Sequence, residues 1–259
     1  MVQRAEIRSV QAKNFRALTE CNLRFGRFTL LAGSDEDKKL AVLHLLDFSG
    51  QLMRGQIKKW LDKRELFDHE LAADAQPSQP IIPLRIEVEI GRQRYIWAGE
   101  YDIRTYACWR ETVTVIDSER QHVINLTADD MSECLFPRPI FWHQGSILSQ
   151  VRLGPEADEQ LQRVRPFVEV MRQVELLPPA RRSEQLYTLL DVINSDRPVL
   201  ILDGAEKGVH PELYSFLADK IRRSDKQAII ATNGPAFFDC LRAGLAGNIF
   251  YQFVREETC

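Results

Sequence analysis

Three short stretches place polar, chemically capable residues where a chain changes direction. In the first, Gly33-Ser34-Asp35-Glu36-Asp37-Lys38-Lys39-Leu40 lies between an apolar run, Phe28–Ala32, and a segment with apolar residues at helical spacing, LAVLHLLDFSGQLMRG. A glycine followed six residues later by a lysine, at a strand-to-helix turn, has the chemistry to wrap backbone N–H groups around a phosphate while the ammonium reaches its oxygens. The run also carries three carboxylates in the same space. They suit another task, because a helix N-terminus favours negative charge, and Ser34 with Asp37 has the spacing of a capping box. In the second stretch Asp203 ends the apolar run PVLILD, followed by Gly204, Ala205 and Glu206. In the third Asn233 follows KQAIIAT and precedes Gly234-Pro235. Polar residues that end buried strands also serve plainly as caps and turns.

The elements that must position these residues follow from hydrophobic periodicity. Residues 4–12 and 21–32 read as strands, the second ending in a run covered on both faces. From Ile81 to Leu126 the segments PLRIEVEI, RQRYIWAGEYDI and ETVTVID nearly alternate, which indicates an antiparallel meander. LQRVRPFVEVMRQVELL is amphipathic at helical period, and residues 180–194 read as a further helix. PVLILD and KQAIIAT are buried strands joined by the helix PELYSFLADKIRR, so Val199–Asp203 and Ala228–Thr232 should lie adjacent and parallel. PAFFDCLRAGL is a last helix and NIFYQFV a last strand.

Composition narrows the field. The 259 residues carry a net charge of −3 with 44% hydrophobic and 27% charged residues, the profile of a globular chain with a real core. No overall basic field draws in nucleic acid or an anionic membrane, and no apolar run approaches the length of a bilayer span. Five scattered cysteines without a CxxC pair, and histidines without metal spacing, offer neither a disulfide framework nor a zinc site and suit a cytoplasmic protein. The basic clusters read as solvated helix faces. The exception is Arg54–Trp60, where an aromatic beside lysines has the make-up of a nucleic-acid contact.

In order and context, the three stretches resemble the heads of ABC-type ATPases, closest in style to the RecF, SMC and OLD-like groups. VQAKNFRALTECNLRFGRFTLLAG resembles their first strands, with the "NFR" step before the phosphate loop. PVLILDGAEKGVHPELYSFLADKI resembles the Walker B strand and the "LHP" step at His210-Pro211, and KQAIIATNGPAFFDCL resembles the switch strand and its "T-H-S-P" turn. The meander through Trp109-Arg110-Glu111 suits the antiparallel sheet of such heads. The resemblance implies an α/β P-loop fold: a mixed core sheet, an antiparallel meander and a small helical lobe. It would form a single domain over 1–259, with one lobe at about 1–130 and 196–259 and the helical lobe at about 131–195.

By the same resemblance Gly33, Lys38, Lys39, Asp203 and Asn233 mark the nucleotide site, and at each of its parts a functional residue is missing. Lys38 replaces the second glycine of G-x-x-x-x-G-K-[ST], and Leu40 replaces the hydroxyl that binds Mg²⁺. Gly204 stands where the family has its general-base glutamate, a loss that typically costs about 10²–10⁴ in rate. Asn233 replaces the switch histidine and cannot carry its charge. The signature loop falls on Ala180-Arg181-Arg182-Ser183-Glu184-Gln185, where no glycine follows the serine.

The expectation is a degenerate head with little or no hydrolysis that acts by binding or scaffolding. The protein partner would be an intact ATPase head or a second copy, in DNA repair, chromosome maintenance or defence against foreign DNA. No catalytic residue, metal or cofactor is assigned; ATP with Mg²⁺ is what the resemblance implies, held weakly. Two alternatives stand beside it: a slow ATPase using Lys39, Asp203 and a displaced acid such as Glu206, and a DNA-binding module.

Overall fold

The structure is a computed structural model that describes residues 4–72, 80–117, 120–126, 143–150, 159–177, 185–243 and 249–254. The alternating segments of the sequence form a six-stranded antiparallel sheet. Its strands are β1 (Ala5–Phe15), β2 (Leu18–Arg24), β4 (Ile81–Ile90), β5 (Gln93–Asp102), β6 (Ala107–Ile116) and β7 (Gln121–Leu126), in the order β2-β1-β4-β5-β6-β7. The short apolar runs form a second sheet: β3 (Phe28–Ala32), β8 (Val199–Asp203), β9 (Gln227–Ala231) and β10 (Ile249–Gln252), all parallel, in the order β10-β3-β9-β8. As expected, β8 and β9 are adjacent and parallel, with Val199 opposite Gln227. Antiparallel and parallel pairing are thus segregated into two sheets in the described residues rather than mixed in one. The segment read as one strand over 21–32 breaks at Phe25–Arg27, where the chain leaves the first sheet for the second.

Helix α1 (Glu36–Arg54) fills the space between the sheets, and every residue from Ala41 to Met53 is buried. Period-two alternation in the parallel sheet sorts its side chains between two cores. Leu31, Val199, Ile201, Ile229 and Ala231 join α1 and the antiparallel sheet, while Leu30, Leu200, Leu202, Ala228 and Ile230 face the helices beyond. Those helices are α4 (Gln185–Ile193), α5 (Tyr214–Arg223) and α6 (Pro235–Arg242). Helix α2 (Ile57–Lys63) follows α1, and α3 (Glu159–Met171) packs on the α1 side, where Phe167 stacks on Tyr95. No helix among the described residues is long and apolar enough to cross a membrane.

The layers are tied by side chains that complete backbone hydrogen bonding. At the bulge in β1 between Ile7 and Ser9, the Gln227 amide accepts from Ile7 N–H at 2.8 Å and donates to the Ile7 and Gly26 carbonyls at 2.8 and 2.9 Å. A side chain from the parallel sheet therefore supplies hydrogen-bond partners to β1 at Ile7, beyond the point where its pairing with β2 ends at Ser9. The ends of α1 and α3 are tied by crossed arginines. Arg54 Nε donates to the Arg172 carbonyl at 2.6 Å, and Arg172 Nε donates to the Met53 carbonyl at 2.9 Å.

Candidate functional site

The loop residues meet Asp203 and Asn233 at the C-terminal edge of the parallel sheet, because β3, β8 and β9 run side by side and all end there. Gly33 closes β3 with φ +117°, and α1 begins at Glu36. The helix is capped by Asp35, whose carboxylate accepts the Lys38 N–H at 3.0 Å. This corrects the capping box expected for Ser34 and Asp37: the helix starts one residue later than that spacing requires, and Asp37 is exposed on its first turn. Lys38 turns to the same carboxylate, with Nζ 3.4 Å from Asp35 Oδ2. Leu40 packs against the core between the sheets.

Lys39 is 3% exposed, and its ammonium is held within the protein. It donates to the Gly33 carbonyl at 2.6 Å and to Asn233 Oδ1. The amide nitrogen of Asn233 donates in turn to Glu36 Oε1 at 3.0 Å, so one side chain bridges the lysine and the first turn of α1. Burial lowers the Lys39 pKa from its ordinary value, with Lys207 acting in the same sense; Glu36, Asp203 and Glu206 oppose it.

Asp203 ends β8, half-exposed, with Lys207 Nζ 3.7 Å away. Gly204 has φ +55° and donates its N–H to the Ala231 carbonyl at 2.9 Å. A Cβ added there would come within 2.5 Å of the Lys207 side chain, so the stem of Lys207 covers the place from which a side chain at 204 would emerge. Glu206 is buried. Its Oε1 accepts from the Thr232 hydroxyl at 2.7 Å and from the Asn233 and Gly234 N–H groups at 3.0 Å each, which secures the turn into α6. Pro211 opens a short 3₁₀ turn, as the His210-Pro211 step suggested. The signature-loop segment 180–185 lies outside the described residues but for the backbone of Gln185, which starts α4.

Two features escape a reading of the sequence. Asp47, fully buried on α1, accepts from Trp60 Nε1 at 2.7 Å and from Gln51 and Arg64, while His44 lies between Arg16 and Arg64. Burial, Arg16 and Arg64 push the His44 pKa down to about 3, so the ring is neutral. Trp60 is 4% exposed, which corrects the nucleic-acid reading of Arg54–Trp60: its ring belongs to the core and cannot stack on a base. The second feature is Glu111, buried on β6, which accepts from Trp97 Nε1 at 2.9 Å and Ile147 N–H at 2.7 Å and bonds the Ser146 hydroxyl. Among the described residues no group of three His, Cys, Asp or Glu side chains is placed to hold a metal ion.

No protein-family model matches the chain, and no curated protein matches it in sequence. Solved structures do match it in fold. An Smc head domain bound to the C-terminal domain of ScpA derived from Pyrococcus furiosus has a TM-score of 0.51 at 9% identity, over 91% of this chain and 92% of that one. A second Smc head, bound to the C-terminal winged-helix domain of ScpA, has a TM-score of 0.50 at 13% identity, over 90% of this chain and 91% of that one. The SMC head domain from Thermotoga maritima has a TM-score of 0.47 at 10% identity, over 95% of this chain and 94% of that one. On the two matches with TM-scores of 0.50 and 0.51, the chain has the fold of an Smc head domain.

Proposed function

We propose that this chain is a degenerate ABC-type head that acts by binding a protein partner and hydrolyses little or no ATP. The observation that carries the reading is the internal capture of Lys39. Its ammonium, which in a working phosphate loop reaches the ligand's oxygens, is bonded to Gly33 and Asn233 and covered by the bridge to Glu36. Gly33, Lys38, Lys39, Asp203 and Asn233 are on this reading the remains of a nucleotide site. Asp35, Glu36, Asp37 and Asp203 crowd it with negative charge, Leu40 offers no ligand to Mg²⁺, and Lys207 covers the place of a general base. What survives is a rigid two-sheet head. Smc heads of this fold have been solved with ScpA domains bound, and a protein partner is the role that such a surface retains. That partner is an intact head or a second copy, in the setting of DNA repair, chromosome maintenance or defence against foreign DNA.

The test compares the wild type with Lys39→Ala and Asp203→Ala for ATP turnover and for a thermal shift with Mg-ATP. The expected result is equal, background turnover in all three and no ligand-dependent shift. Turnover that requires both Lys39 and Asp203 would establish a slow ATPase instead.

A further inference from the structure

β10 stands apart from the strands beside it. None of residues 249–254 is buried, whereas β3, β8 and β9 are buried along nearly their whole length. Among the described residues it is an edge strand, paired over four residues with β3 alone. Its end nevertheless reaches the loop: Phe253 N–H donates to the Ala32 carbonyl at 2.8 Å, and the Phe253 carbonyl accepts Asp35 N–H at 3.2 Å. Gly33 lies directly against that carbonyl, since a Cβ at 33 would stand 1.9 Å from the Phe253 oxygen. The loop glycine is thus needed to clear the backbone of β10. Tyr251 and Phe253 pack half-buried against the core between the sheets, and Tyr251 also bonds the other sheet. The Tyr251 hydroxyl accepts Arg24 N–H at 2.8 Å and donates to the Arg24 carbonyl at 2.9 Å, at the end of β2.

We infer that β10 is a clasp that holds the loop Gly33–Asp35 closed, so that releasing the strand opens the loop. The inference rests on the reading of this loop as a vestigial phosphate site, because the Asp35 amide taken by Phe253 belongs to the set that faces an anion at a helix N-terminus. A strand without fully buried side chains opens locally at far lower free energy than the buried strands of the same sheet. When it leaves, the Asp35 N–H loses the Phe253 carbonyl, and Gly33, still bonded to Lys39 through its own carbonyl, loses its packing against the strand.

Hydrogen exchange on the full chain tests this in two variants. Tyr251→Phe keeps the ring and deletes the hydroxyl; Phe250→Ala removes the ring that meets Phe238. In both, exchange over 249–254 and over 33–38 should rise together, by about tenfold. Each rate is read as a ratio to that of α5, so a uniform loss of stability cancels. Faster exchange over 249–254 with an unchanged ratio over 33–38 overturns the clasp, as does a strand that loosens in neither variant. No nucleotide enters the readout, so its result is independent of whether the site binds ATP.

Discussion

The side-chain carbonyl of Asn233 accepts from the Lys39 ammonium while its amide nitrogen donates to Glu36, so a residue after β9 closes the first turn of α1. Asn233→Ala leaves a nearly buried ammonium with the Gly33 carbonyl as its remaining acceptor of the two. The expected loss is about 1–3 kcal/mol of stability, the cost of a charged buried donor losing its partner. Chemical denaturation measures it. A change within a few tenths of a kcal/mol would mean that water replaces the amide without cost.

Substitutions in the loop separate the cap from its neighbours. Asp35→Ala should cost about 0.5–2 kcal/mol, because it removes the acceptor of the Lys38 N–H. Asp37→Ala should cost only a few tenths of a kcal/mol, through the helix dipole. Thermal melts of the two proteins give the order, and the reverse order would relocate the cap.

Glu111 makes part of the stability depend on pH. Burial raises its pKa to about 7, although Ser146, Ile147 and Trp97 bond the carboxylate and pull it down. Because the folded value lies above the ordinary glutamate value of 4.5, this group's contribution is complete below 4.5. It is lost as pH rises toward 7, by about 3 kcal/mol in total. Glu111→Gln should remove that slope. Its amide can accept from Ile147 or from Trp97, but not from both, so the variant is also less stable at pH 5. Urea titrations of both proteins at pH 5 and pH 8 give the difference; equal slopes would show that the carboxyl ionises freely in the fold.

Gln227 should be among the most sensitive polar positions. Gln227→Leu strands the N–H and carbonyl of Ile7 and the carbonyl of Gly26, a loss of at least about 2 kcal/mol. Gln227→Glu keeps the acceptor for Ile7 N–H but turns a carboxylate oxygen toward two carbonyls, so it should not rescue. Denaturation midpoints of the two variants check this, and a stable Gln227→Glu would place the key bond at Ile7 N–H alone.

The parts of the fold written in local pattern were legible. The runs ending at Ala32, Asp203 and Thr232 are short, apolar and bounded by turn residues, and the alternation over 81–126 gives a meander. What the pattern does not carry is which surfaces later segments will cover. His44, Asp47 and Gln51 have the look of a wet face on α1, yet all are buried, with Trp60 of α2 and Arg64 of the following turn bonded to that face. The candidate site was legible as a set, since Gly33, Lys39, Asp203 and Asn233 do converge. The bond between Lys39 and Asn233 was not, because the sequence separates the two by 194 positions and nothing local marks either as the other's partner.

The enclosure of α1 sets the order of events when the chain is made. One wall around this helix, the antiparallel sheet, is complete once Leu126 has been synthesised, but β8 and β9 of the other wall emerge only after residue 198. Until then the apolar flank of α1 that Val199, Ile201, Ile229 and Ala231 cover lacks those partners, and transiently exposed apolar surface of this kind is aggregation-prone. The last strands convert that exposed intermediate into the native core. A chain halted before β8 would be expected to engage chaperones or aggregate rather than persist as a free half-domain.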